Sequence, residues 1–502
     1  MVAVLLAGGL AACGSEDAEV VLRTDGKGVS SLAGDDPAAA TAAASALAYE
    51  SADVAVLGAE SDSWAVSQKT AEVGAPGLLT GAGGAPAADA AAGDEGASGD
   101  AEADDAVSEE LDRLGVETVF VPAGSETPAA AGDRAVVTFN PETLEAEEGD
   151  APEVSRQGDA ANASLFLDRG SDRTPAQEVA EATVEAADGT ATQLPEGDPR
   201  ATAETVEAAK ASESAGVLAL GESFADRFES RLETARTAPE LPGGGQSLFP
   251  GRRMVAAYGS PGIPSLGILG EQDLDATVDR VQELAAEYED VSAEPVVPAM
   301  EIITTVASGQ AGADGNYSAE LDPETLKPWV ERAAEEGIYV VLDLQPGTSS
   351  FPEQAKLYED LLREPHVGLA LDSEWRLEGG QRHLEQIGSV DAAEVNETAQ
   401  WLADLTAEAG LPQKAFVLHQ FSASMITDRE DIDASRDELA MLLHADGHGT
   451  PDLKLETWNA LQRDLPAGVR MAWKNFYDED TPMFTPEQTL ELDPAPWFVS
   501  YQ

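Results

Sequence analysis

The sequence predicts an α/β protein in which a doubly wound parallel-sheet domain is followed by a (β/α)8 barrel, or TIM barrel. The main observation is a repeat between residues 254 and 502, where short apolar runs alternate with amphipathic stretches of helical spacing. A shorter alternation of this kind covers residues 53–234, and Leu241-Pro-Gly-Gly-Gly-Gln246 separates the two as a hinge. The eight apolar runs are residues 254–258, 296–301, 339–343, 367–372, 415–419, 439–446, 469–474 and 497–501.

The doubly wound domain is expected over residues 37–242, and the barrel over residues 250–502. Because strands alternate with helices in the first domain, its sheet should be parallel and covered on both faces. An Ala-, Gly- and Asp-rich insertion at 82–103 is predicted to be disordered, and an acidic loop is expected near 142–156. The expected strands are 53–57, 77–80, 116–121, 164–168 and 216–221, and the expected helices are 61–73, 104–114, 174–186, 202–212 and 224–234.

The amino-terminal residues predict export. An apolar run from Val2 leads to Cys13, the only cysteine in the chain, as in a secretory signal that ends in small residues. The segment Leu10-Ala-Ala-Cys13 resembles the bacterial lipobox, which implies cleavage before Cys13 and attachment of lipid to its sulfur. Residues 1–13 are then a lipoprotein signal peptide and residues 14–36 an acidic tether, and the protein is extracytoplasmic and lipid-anchored to the cell membrane. The alternative is a free surface thiol.

The charge of the chain limits its partners. With 94 acidic and 29 basic residues the formal net charge is −65, so nucleic acid is excluded as a general partner because its phosphate backbone would be repelled. Such acidity is typical of a secreted protein that stays soluble in high salt. It is equally typical of a lineage with an acidic composition and no specific adaptation.

Three segments in the first domain resemble a known family. The segments 53–57, Gly74-Ala-Pro-Gly-Leu-Leu-Thr80 and 108–120 resemble one unit of the bacterial cell-wall-binding repeat 2 family, and residues 202–230 resemble the start of a second unit. The resemblance implies a cell-wall polysaccharide or peptidoglycan as partner. The alternative is a domain that keeps the fold of the repeat without binding the wall.

The fourth apolar run ends in a pair of acids. Asp372 and Glu374 are two residues apart on a strand and should face the same side. Two close carboxyls in a partly buried site can raise one pKa until that group acts as a general acid, as glycoside cleavage requires. The segment Gly368-Leu-Ala-Leu-Asp372-Ser-Glu374 resembles the fourth-strand motif of substrate-assisted chitinases. This resemblance implies that Glu374 is the proton donor and Asp372 its orienting partner, and that Trp497 floors the pocket.

Other polar residues end the remaining runs. Asp343 is expected to assist Glu374 as a third catalytic acid, and the rest are expected to bind substrate, with tyrosine and tryptophan rings stacking on sugars. Helix caps or strand-end ion pairs are the alternative roles. A metal site of His444, Asp446 and His448, completed by Glu301 or His419 from across the barrel, is a further alternative, but the main prediction includes no metal and no cofactor. The expected substrate-binding residues are Tyr258, Glu301, His419, Gln420, Asp446, Lys474, Trp497 and Tyr501.

These observations predict an exported cell-envelope lipoprotein that binds a cell-wall glycan and, in the stronger form of the hypothesis, hydrolyses it as a glycoside hydrolase. The alternative is a non-catalytic cell-wall-binding protein with a degenerate barrel. Ala370 favours that alternative, because it stands where the chitinase motif has an acid, and so does the absence of small residues in the run 339–343.

Overall fold

A computed structural model of the chain describes residues 17–26, 28–33, 36–81, 97–168, 173–224 and 227–502. The chain divides into two compact units, Met1–Pro199 with Glu207–Glu233, and Arg200–Val206 with Thr234–Gln502. Cys13 and the predicted signal peptide lie outside the described residues. Among the described helices, none combines the length and apolar character that crossing a membrane requires.

The first part of the chain alternates strands and helices. The strands are β1 (Ala18–Leu22), β2 (Val29–Leu32), β3 (Tyr49–Ala52), β4 (Val54–Ala59), β5 (Gly77–Thr80), β6 (Thr118–Pro122), β7 (Ala135–Phe139), β8 (Ala146–Glu148), β9 (Val154–Gln157), β10 (Ala163–Asp168), β11 (Thr190–Leu194) and β12 (Gly216–Leu220). The helices are α1 (Pro37–Ala48), α2 (Ser63–Val73), α3 (Ala97–Leu114), α4 (Pro175–Ala186), α5 (Ala203–Ala211) and α6 (Phe228–Thr237).

The two larger sheets of the first unit are mainly parallel. One has the order β5-β4-β6-β7-β8 and the other β11-β10-β12-β2, and only the β7–β8 pair is antiparallel within them. Strands β3, β1 and β9 form a third, small sheet. Helices α1 and α4 contact strands of both larger sheets. The predicted parallel α/β architecture is therefore present, with its strands in two larger sheets and one small sheet instead of a single sheet.

Three predicted segments differ from the structure. Residues 18–22 and 29–32 form β1 and β2, although the sequence places them in a tether; Val20 and Leu22 are buried, which explains why β1 pairs. Part of the acidic loop pairs as β8 and β9. Helix α3 begins at Ala97, inside the predicted disordered insertion, and residues 82–96 of that insertion lie outside the described residues.

The second unit contains the barrel. Its strands are β13 (Arg253–Gly259), β14 (Val296–Ala307), β15 (Ser318–Glu320), β16 (Tyr339–Leu344), β17 (Val367–Asp372), β18 (Val390–Asp391), β19 (Lys414–Gln420), β20 (Ile426–Thr427), β21 (Leu439–Ala445), β22 (Arg470–Asn475) and β23 (Phe498–Tyr501). Its helices are α7 (Leu274–Glu289), α8 (Pro323–Glu335), α9 (Phe351–Ala355), α10 (Glu359–Leu362), α11 (Ala392–Glu408), α12 (Pro451–Leu461) and α13 (Pro486–Leu490).

Within residues 227–502, eight parallel strands close into a ring in the order β13-β23-β22-β21-β19-β17-β16-β14, and β14 pairs back onto β13. All neighbouring pairs in the ring are parallel. Each strand coincides with one of the eight predicted apolar runs, so the predicted (β/α)8 barrel is confirmed. Helix α7 shows how the outer layer packs, because Val281 and Tyr288 on one of its faces are buried in the core around the strands.

The interior of the barrel has an apolar and a polar region. Side chains that alternate along each strand point inward, and those nearer the amino ends form one apolar cluster that includes Met254, Tyr339, Val417, Leu442 and Phe498. On most strands, the next one or two inward-facing side chains toward the carboxyl end are polar. The apolar cluster therefore closes one end of the barrel, and the polar side chains collect at the carboxyl end.

Candidate active site

A cavity of about 710 Å³ lies among residues at and beyond the carboxyl ends of the barrel strands. Of the predicted site residues, Tyr258, Asp372, Glu374, Asp446 and Lys474 line it. Several apolar and amide side chains also line it, and they include Ile303, Gln345, Trp375, Phe421, Phe476 and Gln502. The cavity thus combines acids, one lysine and aromatic rings, the mixture that is typical of a small-molecule or sugar site.

Four more polar groups are fully buried beside the cavity. Glu301, Asp343, His419 and His444 are all 0% exposed. Tyr258 Oη donates to Asp343 Oδ2 over 2.8 Å, which connects the cavity wall to this buried group. These side chains come from separate strands, and the parallel register of the ring places Tyr258 beside Glu301 and His419 beside His444.

A chain of alternating charges runs through the site. Lys474 Nζ lies 3.2 Å from Asp446 Oδ1 and 3.4 Å from the centre of the Tyr258 ring. Asp446 Oδ2 is 3.0 Å from His419 Nδ1, and the other ring nitrogen of His419 is 2.8 Å from Glu301 Oε1. A doubly protonated His419 would donate to both carboxylates, so the chain alternates in sign from Lys474 to Glu301.

The pKa directions agree with this alternation. Burial would raise the pKa of Glu301 and of Asp446, but His419 and His444 hold the pKa of Glu301 below its ordinary value, and Lys474 and His419 do the same for Asp446. Burial would lower the pKa of His419, but Glu301 raises it well above its usual range. Burial would also lower the pKa of Lys474, which Asp446 raises. These four groups are therefore charged at neutral pH.

The other three acids have raised pKa values. Burial, with a contribution from the charges of Asp446 and Asp343, raises the pKa of Glu374 to about 7. Burial raises the pKa of Asp343 to about 6, and burial together with the charge of Glu374 raises the pKa of Asp372 well above its ordinary value. Near neutral pH the site therefore contains ionised and protonated carboxyls side by side.

His444 completes the buried group as a neutral imidazole. Burial, together with the charge of His419, lowers the pKa of His444 to about 3, although Glu301 opposes the shift. His444 Nε2 lies 3.1 Å from Ser500 Oγ, and His444 Nδ1 lies 3.3 Å from His419 Nε2. His448, the other histidine of the metal site considered from sequence, instead lines the cavity with its ring 5.6 Å from Phe476.

Trp497 lies at the opposite end of the barrel from the cavity. It precedes β23, so it stands at the amino end of its strand, and its backbone N–H donates to Met471 O. Its ring packs 5.8 Å from Phe249 and lies over the guanidinium groups of Arg253 and Arg470. The prediction that Trp497 floors the pocket is wrong for this reason.

Gln420 and Tyr501 also do not line the cavity. Each follows an inward-facing residue, so each side chain points away from the interior. Gln420 Nε2 donates to Ser422 O and its Oε1 accepts from Arg429, which ties down the loop after β19. Tyr501 Oη lies 2.7 Å from Tyr288 Oη on α7. Both residues support the structure around the site instead of contacting a ligand.

Several residues that line the cavity are not among the site residues predicted from the sequence. Gln345 lies two positions after Asp343, and its Nε2 is 3.4 Å from Asp372 Oδ2. Phe476 lies two positions after Lys474, whose Nζ is 5.1 Å from the Phe476 ring centre. Trp375 follows Glu374 directly and also lines the cavity. The period of two along a strand is the signal that could have identified Gln345 and Phe476.

No protein-family model and no curated protein matches the sequence. One solved structure that is similar to the chain is a crystal structure of an AmyP variant in complex with maltotriose, with 13% sequence identity and a TM-score of 0.28. The match covers 50% of this chain and 66% of the AmyP chain, just under two thirds of that chain's length. At this level of similarity, none of the chemistry of AmyP transfers to this chain.

Proposed function

We propose that the barrel binds a cell-wall glycan and cleaves its glycosidic bonds, with Glu374 as proton donor. The observation that carries this proposal is the environment of Glu374, which lines the cavity and has its pKa raised to about 7 by burial and neighbouring acids. A general acid is most effective when its pKa is near the working pH. Glu374 meets that condition with access to a ligand.

The remaining groups fit the same reaction. Glycoside cleavage needs one protonated and one ionised carboxyl, and Asp446 lines the same cavity with its pKa held low by Lys474 and His419 against the effect of burial. Asp372 is the orienting partner of Glu374, and Asp343 assists from behind Tyr258. Trp375 and Phe476 offer rings on which a sugar face can stack.

Lys474 has a different role. A lysine that forms a Schiff base must lose its proton easily, whereas Asp446 and Glu301 raise the pKa of Lys474 despite its burial. Lys474 is therefore a fixed positive charge that keeps Asp446 ionised. The raised pKa of Lys474 therefore argues against Schiff-base chemistry on this lysine, although one fold can support many different reactions.

Binding and hydrolysis can be measured separately. The purified full-length chain is incubated with peptidoglycan and with chitin, and both the bound protein and the soluble reducing sugar are measured. Binding with sugar release supports the proposal. Binding without release supports the alternative of a non-catalytic wall-binding protein, and failure to bind either polymer contradicts both.

The pH dependence of the reaction provides a second test. Glu374 must be protonated to donate, so kcat/KM is expected to fall as the pH rises through about 7. Asp446 stays ionised throughout, so it should contribute no decrease on the mildly acidic side of the profile. A kcat/KM that is constant or increases from about pH 6 to about pH 8 would contradict the role of Glu374.

The proposed location is the outer face of the cell membrane, with lipid on Cys13. It is supported by the resemblance of Leu10-Ala-Ala-Cys13 to a lipobox. Cells that express the chain and grow with a labelled fatty acid are expected to label it. Because Cys13 is the only cysteine, the C13S variant should remain unlabelled, and label retained on that variant would contradict the anchor.

A further inference from the structure

The geometry of the buried histidines points to a second property that does not depend on the proposed hydrolysis. Three potential ligand atoms from three strands face one another. Glu301 Oε1 is 2.8 Å from His419 Nε2, which is 3.3 Å from His444 Nδ1. The third side of this triangle, from His444 Nδ1 to Glu301 Oε1, is 3.8 Å.

These separations match those of ligands around a single ion. Two atoms that each lie about 2.1 Å from a zinc ion are about 3.0 to 3.4 Å apart in tetrahedral or octahedral geometry. One side of the triangle, at 3.3 Å, lies within that range, one at 2.8 Å is shorter and one at 3.8 Å is longer. Small movements of the side chains would therefore place all three atoms on one ion. Two histidines and one glutamate form a ligand set that zinc enzymes use.

In each histidine, the ring nitrogen that points away from the triangle has a hydrogen-bond partner. His419 Nδ1 lies 3.0 Å from Asp446 Oδ2, and His444 Nε2 lies 3.1 Å from Ser500 Oγ. Metal-binding histidines commonly donate their other N–H to such an oxygen, which fixes the tautomer and orients the ring. A metal ion would displace the proton that His419 shares with Glu301, since imidazole binds a metal only in its neutral form. Once that proton is released, the lone pairs of His419 Nε2 and His444 Nδ1 are directed at the shared space.

An unpartnered oxygen belongs to the same group. Glu301 is 0% exposed, and its Oε2 has no hydrogen-bond partner among the described residues. A buried polar atom without a partner costs free energy, and a cation held by this carboxylate would offset the cost. Asp343 Oδ1 and Asp372 Oδ1, on neighbouring strands, are also buried and without a partner among the described residues.

Four further acids surround the triangle. Among the described residues, Asp343, Asp372, Glu374 and Asp446 lie close to Glu301 and the two histidines, and ionisation of one of them would balance the charge that a divalent ion adds. A second cluster of possible ligands, Asp372, His419 and Asp446, is less suitable because Lys474 already pairs with Asp446 at 3.2 Å.

We propose that Glu301, His419 and His444 bind one divalent transition-metal ion of the zinc type. Imidazole nitrogen suits zinc and its neighbours in the first transition row, whereas Mg²⁺ and Ca²⁺ prefer oxygen ligands. The site differs from the one considered from sequence, because it uses neither Asp446 nor His448. It keeps His444, and it uses both Glu301 and His419, one of which was expected to complete the earlier set. It also revises the prediction that the barrel contains no metal.

The test measures metal binding and requires no substrate. The full-length chain is dialysed against a chelator and titrated with Zn²⁺ by calorimetry and with Co²⁺ by visible absorption. We expect one equivalent of each to bind, and Mg²⁺ at the same concentration to leave both signals unchanged. In E301Q and H444Q the affinity should fall by more than about 100-fold, because an outer-shell partner alone is worth about 10- to 100-fold.

H448Q is the matched control. It removes an imidazole from the segment that follows β21 and leaves the triangle intact, so it should bind Zn²⁺ as the unchanged protein does. S500A tests the same site with a milder substitution if the ligand variants fail to fold, and it should weaken binding by about 10- to 100-fold. The proposal is overturned if the unchanged chain binds no stoichiometric Zn²⁺. It is also overturned if H448Q weakens binding while H444Q and S500A do not.

Discussion

Replacing Glu374 by glutamine is expected to lower kcat on a cell-wall glycan by a factor of about 10² to 10⁴, the usual contribution of a general acid. Glutamine has nearly the same shape, but its amide is far too weak an acid to protonate the leaving group. The substrate KM should change little, because the cavity wall keeps its form. The measurement is the rate of reducing-sugar release from the glycan that the purified chain binds.

The matched control for this variant is E378Q, which makes the same substitution at an exposed position in the segment that follows Glu374. Its turnover should equal that of the unchanged protein.

The stability of E374Q provides an independent check. In the folded protein Glu374 keeps its proton up to about pH 7, whereas in the unfolded chain it loses the proton at the lower, ordinary pKa of glutamate. The free energy of unfolding should therefore decrease as the pH rises between these two pKa values. This decrease should be smaller in E374Q, which has no carboxyl at that position. Turnover by E374Q like that of the unchanged protein would remove Glu374 from the mechanism.

Replacing Lys474 by methionine is expected to lower the free energy of unfolding of the barrel by about 3–5 kcal/mol, the typical cost of removing one partner of a buried ion pair. Lys474 is 2% exposed and its partner Asp446 is 8% exposed. Methionine fills a similar volume but leaves the carboxylate of Asp446 without its ammonium. Urea unfolding followed by tryptophan fluorescence measures the effect, since six of the seven tryptophans lie from residue 329 onward.

Two further variants test whether the loss of stability in K474M comes from breaking a buried ion pair. K327M removes a lysine whose pair with Glu331 is exposed and 4.0 Å long, and it should cost less than about 1 kcal/mol. Adding D446N to K474M should recover part of the lost stability, because the neutral amide does not need the ammonium group of Lys474. A loss in K474M no larger than that in K327M would show that Lys474 and Asp446 are not a buried pair in solution.

The barrel strands could be predicted because buried parallel strands form almost continuous apolar runs, and each of the eight runs became a strand. Strand β1 and helix α1 were harder to recognise. The residues of β1 are few and lie in an acidic stretch, and α1 consists almost entirely of alanine, so it shows little contrast between a polar and an apolar face. Asp36 and Pro37 mark where α1 begins, because the Asp36 side chain accepts from the N–H groups of Ala38 and Ala39.

The candidate site could be predicted only in part. Asp372, Glu374 and Lys474 line the cavity as expected because they follow their apolar runs on the inward-facing positions. Tyr501 shows the limit of this reasoning, since a shift of one residue along a strand reverses the face. The contact between Glu301 and His419 spans 118 positions in the sequence. No local pattern indicates such a contact, because it depends on the closure of the ring.

The apolar cluster at the amino end of the barrel determines how a polymer can approach. Met254, Tyr339, Leu442 and Phe498 fill the central channel, so a long chain cannot thread through the ring and leave on the other side. A polymeric substrate has to lie across the rim, and both fragments must depart on the side from which the polymer arrived. The segments that follow the strands, such as the one carrying Phe421 and the one carrying His448, would then decide which branches and chain lengths are accepted.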